Sequence, residues 1–418
     1  MPHTADSRSE TEKRDLRTGQ PLWLSDGPPK LAVRQTPRHT RYDVIIAGSG
    51  ISGALTAWHL CDGKRRVLLI DRRPPLTGST PASTAMIQYE IDTPLTKLSE
   101  MIGKEQAVRA WKRSAKAVQR LGEIVRLENI PCGYTEKPAL YLAGDEFGFR
   151  ALQKELEARK AAGLTSRFIP AQELRDTYGM DRTGALLSEP SASADPAQLT
   201  AGLLRRAMDS GLEIVSPMEV GDFVATGAQA AVTLSNGQIL TCGHAVFCTG
   251  YEFLKSLESR EHRIISTWAI SARSRSKLPD WLDNHIVWEG SDPYLYFRTH
   301  TDGHVVIGGE DEPFETGHMN AAKLERKVAT LVKKFEALTG VALYPPSHRW
   351  AAAFGESTTG LPFLGPVPGH TNIHALMGFG GNGITFSVIG AEIVAAAISG
   401  NPDPDASIFA FPGDADAP

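Results

Sequence analysis

Apolar positions change their period several times along this chain, and each change predicts a different element. The run Tyr42-Asp-Val-Ile-Ile-Ala-Gly48 is short, apolar and bounded by polar residues, as expected of a strand covered on both faces. A helix is predicted over 54–60 and a second apolar strand over 66–70, closed by Asp71. Residues 95–127 take helical spacing, with Leu98, Ile102, Val108, Trp111, Ala115, Val118, Leu121 and Val125 recurring every three or four positions. A strand is expected at 140–143, and helices at 145–161, 171–177 and 197–210. Short β-like runs follow at 213–215, 219–220, 230–234, 239–242 and 245–248, with Ser235-Asn236-Gly237 as a hairpin turn. Residues 262–310 alternate like antiparallel strands, and Asp302-Gly303 closes another hairpin. A helix at 320–338, a strand at 373–377, a glycine cluster and a helix at 384–399 complete the chain.

The pattern predicts an α/β fold in which a Rossmann-like dinucleotide-binding domain, from 41–94, 191–254 and 349–400, is interleaved with an α+β substrate domain. The latter, an antiparallel sheet with helices, would take 95–190 and 255–348. Residues 1–40, with Pro21, Pro28, Pro29 and Pro37, are expected to be a flexible extension with Trp23 and Leu24 docking on the body, and 401–418 a C-terminal tail.

The chemistry begins at Gly48-Ser-Gly50-Ile51-Ser52-Gly53, a G-x-G-x-x-G turn between strand and helix. Gly48 permits the tight turn, Gly50 the approach of a pyrophosphate, and Gly53 close packing of helix on strand. The helix start offers free N–H groups and a positive dipole end. Asp71 closes the second strand, where a carboxylate accepts hydrogen bonds from an adenosine ribose. Arg72 and Arg73 beside it also admit an NADP 2′-phosphate, against which the acid argues. Gly378-Phe-Gly380-Gly381-Asn382-Gly383 repeats the glycine spacing, but too little chain follows for a second βαβ unit. A helix N-terminus aimed at an anionic group, or a plain tight turn, are the readings left.

Composition narrows the setting. The chain has 418 residues, 41% hydrophobic and 22% charged, with net charge −4, so two domains fit and nothing points to nucleic acid. Its four cysteines form no C-x-x-C pair, which fits a reducing cytoplasmic setting without a metal site. The first 20 residues carry no apolar signal segment, and no apolar run reaches 18 residues, so no membrane span is expected.

These motifs, together with Ser79-Thr80, Ala82-Ser83-Thr84-Ala85-Met86, Val220, Thr249-Gly250 and Gly360-Leu-Pro362, occur in the order seen in a known family. Over about residues 41–400 the chain resembles the FAD-dependent amine and amino-acid oxidoreductases of the D-amino-acid oxidase, glycine oxidase and sarcosine oxidase type. The resemblance implies FAD bound from the first glycine turn to the last. Asp71 and Arg72 would hold the adenosine end and Val220 the adenine. Ser79, Thr80, Ser83, Thr84, Ala85 and Met86 would flank the ribityl chain and flavin, and Gly355 and Gly380, Gly381, Asn382, Gly383, Ile384 and Thr385 would border the ring. No histidine lies in 77–90 and no cysteine follows Cys248, so the resemblance implies non-covalent FAD.

Substrate candidates are Tyr294, Tyr296 and Arg298, which alternation places on one sheet face, the arginine suited to an anionic group. A solvated or salt-bridged strand face explains them equally. Glu310-Asp311-Glu312 suits a cationic amine, or is a loop of surface acids. Trp268 and Trp288 are aromatic-pocket candidates or core. In the family, a Trp-x-x-x-Arg segment before Gly-Leu-Pro supplies the carboxylate-binding arginine. Here the segment reads Trp350-Ala-Ala-Ala-Phe354, which argues against a simple amino-acid substrate. No acid–base residue is singled out. The expected activity is oxidation of a C–N bond in a small amine or amino-acid-like substrate, with O2 or an electron carrier as acceptor. An NAD(P)-linked flavin reductase and a flavin-bearing partner subunit are the alternatives.

Overall fold

The apolar runs at 41–47 and 67–70 lie side by side because each is apolar on both faces. A computed structural model describes residues 9–227, 229–257 and 261–412. In it, strand Arg41–Ala47 runs parallel to Val67–Ile70 on one side and Ile239–Phe247 on the other, and Glu213–Val215 extends the parallel set. Strand Ile239–Phe247 divides. Its first half pairs antiparallel with Gln229–Leu234 through the Asn236-Gly237 hairpin, and its second half parallel with Ile373–Met377. Val220–Thr226 and Phe363–Pro366 complete eight strands.

Alternation decides which face each side chain covers. Val44, Ile46 and Leu69 pack under helices Ile51–Leu60, Pro196–Asp209 and Gly383–Ile398. Ile45, Leu68 and Phe247 pack on the opposite face, with Val220, Val232 and Leu234. The C-terminal ends of the parallel strands, at Ala47, Ile70 and Phe247, open together onto one cleft, as in other open α/β sheets.

A nine-stranded sheet faces that cleft from the other side. Its order is Arg17–Gln20, His348–Ser357, His262–Arg273, His304–Glu312, Leu295–Thr299, Ile286–Glu289, Ala139–Leu142, Gly184–Glu189, Thr165–Pro170. Helix Ala321–Thr339 covers one face, where Trp268, Phe297, Leu331 and Phe335 form a core. Strand His348–Ser357 belongs to this sheet, so the boundary expected at 349 falls inside it.

Three other expectations change. The predicted helix at 95–127 breaks into Leu95–Ile102 and Lys104–Leu127 at Gly103, whose φ of +86° suits glycine. The N-terminal extension is not loose from residue 9 onward: Arg17–Gln20 is an edge strand, and Leu22, Trp23 and Leu24 are all buried. The C-terminal tail is docked too, with Phe409 and Phe411 buried and Asp403 and Asp405 meeting Arg113 and Arg109. Residues 1–8 and 413–418, the ends of that extension and tail, lie outside the described residues. Finally, Gly380–Ile398 is long and apolar enough to cross a membrane by length and composition, because Thr385, Ser387 and Glu392 barely dent its mean hydropathy. Here it is a core helix, packed against Ile51–Leu60 and Lys104–Leu127.

Candidate active site

The glycine turn is built by close approach. Gly48 has φ +108°, and a Cβ there would sit 2.3 Å from the Cys248 carbonyl oxygen. A Cβ on Gly53 would sit 1.9 Å from the Gly48 oxygen, so the helix can approach only without one. Asp71 braces the turn: its Oδ2 accepts from the Ser49 N–H at 2.7 Å and hydroxyl at 2.5 Å, and its Oδ1 from the Arg73 N–H at 2.8 Å. Burial pushes the Asp71 carboxyl up against those bonds.

A single cleft of about 760 Å3 runs from this turn between the two large sheets. Along it lie Gly48, Gly50, Ile51, Ser52, Asp71, Arg72 and Arg73, then Ser79, Thr80, Ser83, Thr84 and Met86. Val220, Thr249 and Gly250 line it as well, as do Gly380, Gly381, Gly383, Ile384, Tyr294, Tyr296 and Phe354 at the far end. The structure thus gathers on one surface residues scattered over more than 300 positions of sequence.

Besides Trp268 and Glu310, six candidates do not line it. Gly53 serves helix packing. Ala85, with φ +50°, is buried behind the loop. Gly355 lies under the Tyr251 ring. Asn382 and Thr385 turn away, Nδ2 donating to the Glu90 carbonyl at 2.7 Å and Oγ1 to the Gln88 carbonyl at 2.9 Å. Arg298 is the main correction. It shares a strand face with Tyr294 and Tyr296, but the residue is 1% exposed. It donates to the carbonyls of Thr84 at 2.7 Å, Ala194 at 2.7 Å and Thr299 at 3.2 Å, and stacks over Trp23. Its donors hold backbone, so it is a positioning residue and not a grip for a substrate anion.

The arginines that follow Asp71 are also engaged. Arg73 forks onto Glu252 at 2.6 and 2.7 Å, and Arg72 reaches Thr11 and the Glu12 carbonyl. That leaves neither guanidinium free for a 2′-phosphate. The last glycine turn does carry an anion at its helix start, but it is the protein's own: Asp92 accepts from the Gly381 N–H at 2.7 Å.

The far end of the cleft is a chamber with aromatic walls. Tyr294 and Tyr296 stack at 5.7 Å, Tyr141 and Trp288 at 3.7 Å, and Phe354 lies 6.4 Å from Tyr251. Trp288 is thus a wall residue, whereas Trp268 is core. Asp311 enters from strand His304–Glu312 and accepts from the Tyr294 hydroxyl at 2.7 Å. Asp92, Asp311 and Glu356 are acids of this chamber, and its cations are Lys97 and Arg263, the latter paired with Glu356. Asp92, Tyr251 and Tyr141 were not signalled by the sequence: each stands in an unremarkable local pattern, and only the tertiary fold brings them here.

A glycine turn open to phosphates and a cleft running from it to an aromatic chamber suit a flavin-dependent oxidoreductase. The chain belongs to the FAD dependent oxidoreductase family, whose model matches residues 43–397. It is 24% identical to glycine oxidase of Bacillus licheniformis over 389 residues, covering 89% of this chain and 96% of that protein. It is 22% identical to gamma-glutamylputrescine oxidoreductase of Escherichia coli K12, covering 86% and 84%. Its fold matches the crystal structure of glycine oxidase from Geobacillus kaustophilus with a TM-score of 0.73, at 18% identity, covering 90% of this chain and 99% of that one. FAD is the cofactor of this family, and the glycine turn, the 79–86 loop and the Gly380–Gly383 turn all line the one cleft.

Proposed function

We propose that the protein oxidises a C–N bond of a small amine or amino-acid-like substrate to an imine, which water then hydrolyses. The observation that carries this reading is the continuous cleft joining the dinucleotide turn to the aromatic chamber around Tyr294, Tyr296 and Phe354. FAD, held without a covalent bond, supplies the hydride acceptor, and the chain's contribution is to orient the carbon and exclude water. The names of the glycine oxidase and gamma-glutamylputrescine oxidoreductase relatives support a nitrogen-bearing substrate. Four buried, unpaired cysteines support a reducing cytoplasmic setting.

The test is anaerobic mixing of the purified flavoprotein with a panel of amines and amino acids. Loss of the flavin absorbance with at least one nitrogen compound is expected. Stable absorbance across the panel, or protein that takes up no FAD, overturns the reading. Admitting air then assigns the acceptor: rapid recovery of the oxidised spectrum identifies dioxygen, which this reading favours, and persistence of the reduced spectrum an electron carrier.

A further inference from the structure

Strand His304–Glu312 loses register against His262–Arg273 just where its acids stand. Ser266 pairs with Glu312 and Trp268 with Gly309, so Glu310 and Asp311 together oppose Thr267 alone. The bulge is formed by Gly309 at φ +131° and Glu310 at φ +61°, a left-handed backbone that a glutamate rarely adopts. It sorts the three acids. Glu310 turns to Lys327 at 3.2 Å and to Lys334 on the covering helix. Glu312 meets Lys323 at 2.5 Å and Lys327 at 2.9 Å. Asp311 points into the chamber and makes no salt bridge among the described residues, whereas Glu312 borders the cleft with its charge taken by the two lysines. Its Oδ2 accepts from Tyr294, and its enclosed Oδ1 has no hydrogen-bond partner.

An enclosed carboxylate without a cation, set among ring faces, is a recognition site for an ammonium group. The arginine that would grip a carboxylate is missing, and the remaining cations are Lys97 at the rim and Arg263, paired with Glu356. Arg298 is spent on backbone carbonyls, and position 354 presents a phenyl ring. We infer that Asp311, oriented by the Tyr294 hydroxyl, anchors the substrate's cationic nitrogen, and that the substrate is an amine without a carboxylate on the reacting carbon. The inference rests on the flavin-dependent reading of the cleft and names the substrate class for it.

The test needs no turnover. tert-Butylamine carries no hydrogen on the carbon bearing nitrogen, so it binds without being oxidised there. It is titrated into the holoprotein at pH 8 alongside tert-butanol and propionate, following flavin absorbance and tryptophan fluorescence. The amine is expected to bind at least about tenfold more tightly than either, and Asp311→Asn to weaken it by at least about tenfold at unchanged FAD content. Equal affinities for amine and alcohol, preference for propionate, or an unchanged amine affinity in Asp311→Asn overturns the inference. If that variant fails to fold, the amine–alcohol comparison on the unaltered protein decides. Failure of the whole panel to reduce the flavin instead counts against the proposed reaction, whatever the titration shows.

Discussion

Asp311 holds its carboxyl at about 6, because loss of solvation outweighs the pull of the Tyr294 and Thr267 hydroxyls. The acids facing it, Asp92 and Glu356, push the same way. Asp92 opens onto the cleft but is ringed by protein, and is itself raised to about 6. The nearby cations are Lys97 at the rim and Arg263, already paired with Glu356. An acid raised in the folded state stabilises the protein below its unfolded value, near 3.9, and that contribution is lost as pH rises through about 6. Asp311 should therefore contribute less to the stability of the apoprotein at pH 7.5 than at pH 4. Asp311→Asn should stabilise it at pH 7.5 by on the order of 1 kcal/mol, with little gain at pH 4. Chemical denaturation at the two pH values checks this, and an equal effect at both would show that the charge is not strained. Amine binding should run the other way, falling as pH drops through about 6 while the ammonium stays charged. The acid trio was visible in the sequence, but not which member turns inward. A bulge shifts register by one residue and leaves the apolar alternation on both sides intact, so nothing in 304–312 announces it.

The loop carrying Ser79, Thr80, Ser83, Thr84 and Met86 makes one tight turn of its own and is clamped from outside. Trp23 Nε1 donates to the Ser83 carbonyl at 2.8 Å, Trp350 Nε1 to the Ala82 carbonyl at 2.8 Å, and Arg298 to the Thr84 carbonyl. These three clamps come from the N-terminal segment and two strands of the large sheet. The nine-stranded sheet therefore sets the geometry of a loop that lines the cleft between the two sheets. Arg298→Lys keeps the charge but loses the fork that serves Thr84 and Ala194 together. FAD affinity should fall by about tenfold, read by titrating apoprotein and following flavin fluorescence. An unchanged FAD affinity with a selective loss of propionate binding would return Arg298 to the substrate role that strand alternation suggested. Alternation gave the correct face for Arg298, since Leu295 and Phe297 are core and Tyr294, Tyr296 and Arg298 oppose them. It carries no information on how far along that face the cleft extends. The βαβ unit at 41–71 and the hairpin at 235–237 were legible because their glycines and apolar runs are local. Gly103 breaks a helix whose apolar spacing continues across it, so periodicity alone joined the two halves.

At the scale of the molecule, residues 9–24 run along the cleft from Glu219 and Glu252 to the 79–86 loop. Ser9 donates to Glu219 at 2.7 Å, the Arg14 N–H to Glu252 at 2.9 Å, and Arg73 to the Arg14 carbonyl at 3.0 Å. Thr11 and Leu16 line the cleft, Arg17–Gln20 joins the large sheet, and Trp23 reaches the 79–86 loop. A proline-rich, charged composition suggested flexibility because it cannot form a core of its own. The segment is ordered by borrowing partners from both sheets. Its first part, up to Asp15, touches the cofactor channel and contributes only isolated bridges to the sheets, so it can be removed without dismantling either one. Deleting residues 1–15 leaves the edge strand and Trp23 in place but strips Arg72 and Arg73 of Thr11, Glu12 and Arg14. The truncated protein should fold with an unchanged far-ultraviolet circular dichroism spectrum and release FAD at least about tenfold faster, since each 1.4 kcal/mol of lost contact is one decade in rate or affinity. Stopped-flow release into excess free riboflavin-binding competitor measures this directly. A release rate equal to that of the full chain would mean that the two sheets alone retain the cofactor and that the N-terminal segment merely rests on them.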